Sequence, residues 1–264
     1  MESNVLGQTG VEVTRVGLGM AALGRPGYMT LGHAEDLDED YDVDSMREHS
    51  HAVLDAAWEA GIRYFDVARS YGRGERFLGE WLRDRDVAPD EVTISSKWGY
   101  IYTADWETDA TQHEIKEHTL SNLEEQLVET QELLGKYLDL YQVHSATFDS
   151  GILDNHNVLG RLFTLKEAGL PIGLTLSGPN QAAVLERAMG ITFDGVPLFG
   201  AVQATVNVFE PSAERTLESV SREGVGVLIK EVFANGRLTG RNDEPEYTDQ
   251  MSVLREQADR LDTS

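Results

Sequence analysis

Short apolar, β-branched runs alternate with amphipathic helical stretches along this chain, and that alternation limits its fold more than any other feature. Seven such runs occupy residues 13–18, 62–65, 92–95, 138–143, 172–176, 201–206 and 225–229. Each is brief and bounded by Gly, Asp or Pro, as buried strands are. Between them the apolar residues recur at helical spacing. Val53, Leu54, Ala57 and Trp58 share a stripe in 46–60, and Phe77, Leu78, Trp81 and Leu82 share one in 73–82. The stretches 114–134, 157–168, 181–189 and 213–222 read the same way. Crossovers of this length join parallel strands through right-handed βα units.

Two architectures satisfy that pattern, an open doubly wound sheet and a (β/α)8 barrel. Seven strands without a domain-sized shift in composition favour one barrel domain over residues 1–264. Residues 4–14 carry the turn signal Gln8-Thr9-Gly10 and predict an N-terminal β-hairpin. Near the end, 242–246 reads as loop and 247–261 as a helix through Met251, Leu254, Ala258 and Leu261, with no eighth strand after it. The expectation is a TIM barrel with an N-terminal hairpin, its eighth strand and helix missing. Such a barrel leaves two strand edges unpaired, so the chain is expected to be loose at that seam or to associate there with a second copy as a homo-oligomer.

The 22 Lys and Arg against 46 Asp and Glu leave a net charge of −24 in 264 residues. A surface this acidic repels phosphate backbones and anionic lipid, which argues against nucleic-acid and membrane partners. Only five of the cations are lysines, Lys97, Lys116, Lys136, Lys166 and Lys230, as in a salt-adapted protein or an ordinary acidic enzyme. The absence of cysteine removes disulfides, thiolate nucleophiles and Cys-ligated zinc. With no signal peptide visible in the opening residues, a cytoplasmic location is the simplest expectation.

In a parallel barrel the reactive groups stand at the C-terminal ends of strands. Those ends present Asp66, Lys97, His144, Gln203 with Asn207, and Lys230, while Tyr71 follows Asp66 by five residues in the next loop. Asp66, Tyr71, Lys97 and His144 make chemical sense together. A phenol, with a pKa near 10, is a poor proton donor at neutral pH until a neighbouring cation stabilises its anion. Lys97 supplies the cation, Asp66 its counter-ion, and His144 a hydrogen bond to an oxygen gaining charge. The set suits proton transfer to a carbonyl oxygen.

The motifs carrying these residues are GLGMAALG at 17–24, FDVARSYG at 65–72, SKWG at 96–99, DLYQVH at 139–144, VQATVN at 202–207 and GVGVLIKEVFANGRLTG at 224–240. Over nearly its whole length the chain thereby resembles the aldo-keto reductases. The resemblance implies an oxidoreductase that moves a hydride between NAD(P)H and the carbonyl of an aldehyde or ketone. NADP(H) is favoured over NAD(H), and the tetrad is Asp66, Tyr71, Lys97 and His144 with Tyr71 as proton donor. It further implies cofactor contacts from Met20, Ser177, Gln203, Lys230, Asn235, Gly236, Arg237 and Leu238, and no metal.

The chain departs from the family pattern in two places. Thr175-Leu176-Ser177-Gly178 stands where Ser-Asn is usual, and Lys230-Glu231-Val232-Phe233 stands in place of Tyr-Ser-Pro-Leu, which removes the aromatic that stacks on nicotinamide. These departures keep open a non-catalytic or regulatory member of the family. A weaker alternative is an aldolase-type barrel with Lys97 or Lys230 forming a Schiff base.

The acidic stretch 35–44 fails as a calcium loop, with Tyr41 and Arg47 at the positions that need Gly and Glu, and reads as solvated. The long segment 25–50 is a candidate lid. The pairs His49/His51 and His113/His118 are poorly spaced for a metal. Trp98, Tyr100, Tyr102 and Trp106 are either packing residues or an aromatic wall for substrate.

Overall fold

In the computed structural model, which describes residues 1–28, 32–242 and 247–261, seven parallel strands pair in chain order into one curled sheet. They are β1 (Leu18–Gly19), β2 (Tyr64–Asp66), β3 (Thr93–Trp98), β4 (Leu138–Ala146), β5 (Ile172–Leu176), β6 (Ala201–Thr205) and β7 (Gly226–Lys230). A main helix follows each strand, with a short extra turn of helix at His33–Asp36 after β1: α1 (Val43–Glu59), α2 (Gly74–Asp84), α3 (Leu120–Leu133), α4 (His156–Glu167), α5 (Gln181–Met189), α6 (Glu214–Arg222) and α7 (Thr248–Arg260). The registers Phe65↔Ile94, Lys97↔Gln142 and Gln203↔Thr175 carry the polar strand ends to one mouth. Among the described residues the architecture is that of a (β/α)8 barrel with seven of its units. No helix among the described residues is long and apolar enough to cross a membrane.

Local chemistry fixes these elements. Every residue of β5 and β6 is buried, as in a parallel sheet covered on both faces. Asp42 caps α1 by accepting from Asp44 N at 2.9 Å, and Asn155 caps α4 by accepting from Val158 N at 3.3 Å. The stripe Phe77, Leu78, Trp81 and Leu82 on α2 is buried, as its spacing predicts.

The hairpin pairs Ser3–Val5 with Glu12–Thr14 and closes the N-terminal end of the barrel, where Leu6 and Val11 pack on Leu140 and Ala201. Gly7 turns there at φ +55°, and a Cβ on it would come within 2.3 Å of Gly226 N, so only glycine fits.

Two sequence expectations need correction. The run 13–18 is not one strand. Its start belongs to the hairpin and only Leu18–Gly19 joins the barrel, because Thr14 Oγ1 donates to Val16 O at 2.9 Å and accepts from Arg63 N at 3.1 Å, which turns the chain. The stretch 114–134 is not one helix either. Glu114–Lys116 pairs with Tyr100–Tyr102 in a second hairpin, and α3 begins only after Thr119, whose side chain caps Asn122 N.

Among the described residues, β1 and β7 have no partner on their outer edges. Between them runs a cleft of about 800 Å3 lined by Val13, Val16, Leu18, Val227, Ile229 and Val232. No described residue of α7 is buried.

Candidate active site

Asp66 ends β2, and every acceptor on it is used. Its Oδ2 takes a hydrogen bond from Lys97 Nζ at 2.5 Å, and its Oδ1 takes others from Ser95 Oγ at 2.5 Å and Gln142 Nε2 at 3.2 Å. Lys97, 1% exposed, also donates to Val67 O at 2.9 Å. Such additional hydrogen bonds are what let an ion pair survive burial.

The loop after β2 carries Tyr71 and is pinned on both sides. Arg69 N donates to Lys97 O at 3.0 Å, and Gly74 N to Tyr71 O at 2.9 Å. Beneath it the buried Glu75 carboxylate accepts from Arg69 Nη1 at 2.7 Å, Ser96 Oγ at 2.5 Å and Thr130 Oγ1 at 2.8 Å. The Tyr71 ring lies 4.7 Å from Lys97 Nζ, and its hydroxyl has no hydrogen-bond partner among the described residues. Burial, followed by the Asp66 charge, pushes its pKa up.

A break in β4 aims His144. The register shifts between Val143 and Ala146, and Ser145 takes φ +54°, a left-handed conformation unusual for serine. Three bonds hold it: Ser145 N to Thr175 Oγ1 at 2.8 Å, Lys116 Nζ to Ser145 O at 2.9 Å, and His118 Nε2 to His144 O at 3.0 Å. The imidazole stands edge-on to Tyr71, with centroids 5.5 Å apart, and to Tyr100 at 4.9 Å. Burial and then the Lys97 charge push its pKa well down, so it is neutral. Nδ1 lies 3.4 Å from Ser70 Oγ. We assign the ring proton to Nε2, with the Ser70 hydroxyl donating to Nδ1.

Arg25, in the loop after β1, is buried at the same mouth. Its Cζ lies 5.1 Å from the Tyr28 ring centroid and 5.5 Å from that of Tyr71, while its Nη1 meets Glu114 Oε2 at 3.1 Å and Ser70 O at 3.3 Å. Burial pushes the Tyr28 phenol up to about 12. The aromatics after Lys97 divide: Tyr100 faces His144, Trp98 is core against His118, and Trp106 packs on Phe77.

The residues singled out for a cofactor scatter along one side. Gln203 is buried, yet it lines the 800 Å3 cleft beside Asp66 and Lys230, and its amide takes no hydrogen bond from any described residue. Lys230 Nζ donates to Thr205 Oγ1 at 2.8 Å and meets Glu231 Oε1 at 2.7 Å. Asn235 and Arg237 border a pocket of about 310 Å3 with Gly178, Gln181 and Tyr247, next to a turn that includes Gly236 and is closed by Leu238 N to Phe233 O at 3.1 Å. Ser177 borders a separate pocket of about 560 Å3 with Lys116 and His118. Met20 has no exposed surface, and its N–H donates to Asp66 O at 2.9 Å.

The structure thus brings Asp66, Tyr71, Lys97 and His144 together and adds Arg25, Ser70, Glu114, His118 and Gln142, which sequence reading missed. Gln142 alone carried a usable signal, as the polar residue two before His144 in an otherwise apolar strand.

Comparison with known proteins identifies the family. The Aldo/keto reductase family model matches residues 16–262. Pyridoxal 4-dehydrogenase of Microbacterium luteolum is 27% identical over 297 residues, covering 98% of this chain and 80% of that protein. The aldo-keto reductase YhdN of Bacillus subtilis is 27% identical over 259 residues, covering 97% and 69%. The solved glycerol dehydrogenase AKR11B4 of Gluconobacter oxydans shares the fold at a TM-score of 0.65 and 17% identity, covering 96% of this chain and 77% of that one. With the four polar residues gathered at the mouth of a parallel barrel and a family match across nearly the whole sequence, the chain belongs to the aldo/keto reductase family.

Proposed function

We propose that the chain reduces aldehydes or ketones reversibly with NAD(P)H, with Tyr71 as general acid. The observation that carries this reading is the Tyr71 hydroxyl: it has no protein partner among the described residues, while the ring is fixed between Lys97 and the neutral His144. A substrate oxygen entering there meets one O–H able to give a proton and one imidazole N–H able to polarise it. Asp66 holds Lys97 in place, and Ser70 holds the His144 tautomer.

The residues present fit a nicotinamide dinucleotide. The partnerless Gln203 amide suits a carboxamide, and the cations Lys230 and Arg237 suit an anionic linker. When bound, that group supplies the hydride. The family resemblance supports NADP(H) over NAD(H).

The Lys230–Glu231 pair, in the place of a stacking aromatic, favours the second reading of a non-catalytic family member. One experiment separates the two. Tyr71→Phe should lower turnover of an aromatic aldehyde with NADPH by about 10²–10⁴, with cofactor affinity by tryptophan fluorescence little changed. Unchanged turnover removes Tyr71 from the chemistry, and a wild-type chain that binds cofactor without turnover supports the second reading.

A further inference from the structure

Lys97 influences Tyr71 less than its place over the ring suggests. The Asp66 carboxylate lies 2.5 Å from the ammonium, so the pair acts on the phenol as a short dipole whose two ends largely cancel. Arg25 is placed differently. Its guanidinium side chain is only 9% exposed and faces the Tyr71 ring at 5.5 Å. Its countercharge, Glu114, touches Nη1 at 3.1 Å, but that carboxylate is 28% exposed against 11% for Asp66, so solvent screens it more.

We propose that Arg25 is the second cation of the site: facing the Tyr71 ring, it stabilises the phenolate left when the O–H bond of Tyr71 breaks and its proton passes to an oxygen in the mouth, and Glu114 sets how much of that charge the ring feels. This rests on the reading of Tyr71 as the proton donor.

The other groups around Tyr71 do not replace it. From β4, His144 is neutral. From the loop after β1, Tyr28 stays protonated, with its pKa near 12. From the hairpin after β3, Tyr100 packs its ring against His144, and Lys116 is turned to Ser145 O. After β7, Glu231 is paired with Lys230 at 2.7 Å. Burial raises the Tyr71 phenol most and Asp66 next, and Arg25 is the strongest influence lowering it. Arg25 is fixed for the task, since its loop is tied through Arg73 N to Gly24 O at 2.7 Å and its Nη1 reaches Ser70 O, one residue before Tyr71.

The test places a ring-fluorinated tyrosine, whose phenol is more acidic, at position 71 and follows its ionisation by fluorine NMR from neutral to alkaline pH. Arg25→Gln should raise the ionisation midpoint by about one pH unit or more, and Arg25→Lys should restore part of it. Glu114→Gln should move the midpoint down. A steric role for Arg25 predicts equal midpoints in Arg25→Gln and Arg25→Lys, so equal midpoints, or no rise in Arg25→Gln, overturn the proposal; Glu114 also acts on the phenol directly, so its variant supports the proposal only alongside that rise. Where Arg25→Gln fails to melt cooperatively, Arg25→Met takes its place, with the same rise expected. The readout needs no substrate, so absence of carbonyl reduction would count against the functional reading and leave this result standing.

Discussion

The Nε2–H of His118 donates to the backbone carbonyl of His144 at 3.0 Å, while its other ring nitrogen, Nδ1, is buried with no partner among the described residues. Burial pushes the pKa of His118 down to about 4. The unfolded chain takes a proton at this residue below about pH 6.5, and the folded chain refuses it until about pH 4. Stability from this source is therefore complete above about pH 6.5 and declines as the pH falls toward 4, by about 3 kcal/mol at most. His144, also lowered, acts with the same sign. Urea midpoints measured across that range should fall with pH, and His118→Gln, which keeps an N–H donor but cannot titrate, should show a shallower decline. Equal slopes in the two chains would contradict the assignment.

Arg69 and Glu75 form the second buried ion pair near the mouth, at 2.7 Å with Glu75 1% exposed. Arg69→Met leaves that carboxylate with only the Ser96 and Thr130 hydroxyls, and an uncompensated buried charge costs about 3–5 kcal/mol. Adding Glu75→Gln should recover much of the loss, because the charge is then gone. Chemical denaturation of both variants checks this, and a loss below about 1 kcal/mol for the single variant would mean that water reaches Glu75.

How much of this was legible in the sequence depended on distance along the chain. The meeting of Asp66, Lys97 and His144 was readable because a barrel puts strand ends at one mouth, so their proximity needed only the strand pattern. Arg25 was not, because its role arises from contacts with Glu114, 89 residues away, and with Ser70, 45 away, through two loops without periodicity. The hairpin at Glu114–Lys116 was hidden for a related reason. Three residues of alternating polarity are too few to outweigh the helical leucine spacing that starts at Leu120. Ser145 carried no signal at all, since its left-handed turn is imposed by Thr175, Lys116 and the neighbouring His118 bond.

Charge gives a third prediction. Exposed pairs such as Arg85–Asp55 and Arg241–Asp36 contribute little to stability and weaken in salt. Repulsion within a net charge of −24 is spread over the whole surface and weakens in salt as well, with the opposite effect on stability. The surplus of carboxylates makes the repulsion the larger effect. The melting temperature should therefore rise steeply from low to molar KCl, and a flat or falling curve would show that the pairs dominate.

The last prediction concerns the unpaired edges. Among the described residues β7 bonds only to β6, and β1 only to β2, so the outer backbone groups of both strands face the 800 Å3 cleft. Val16, Ile229 and Val232 are exposed along it, whereas Leu140, Tyr141 and Val143 in β4 have no exposed surface and lie between two bonded neighbours. Backbone groups left without partners exchange through small local openings, while those in a doubly paired strand need a large one. Amides of Gly226–Lys230 should therefore exchange orders of magnitude faster than those of β4 in a dilute monomeric sample. Protection of β7 that grows with protein concentration alongside dimer formation would place a second copy at the seam. Protection as slow as that of β4 in a monomer would mean that the outer edge of β7 is paired.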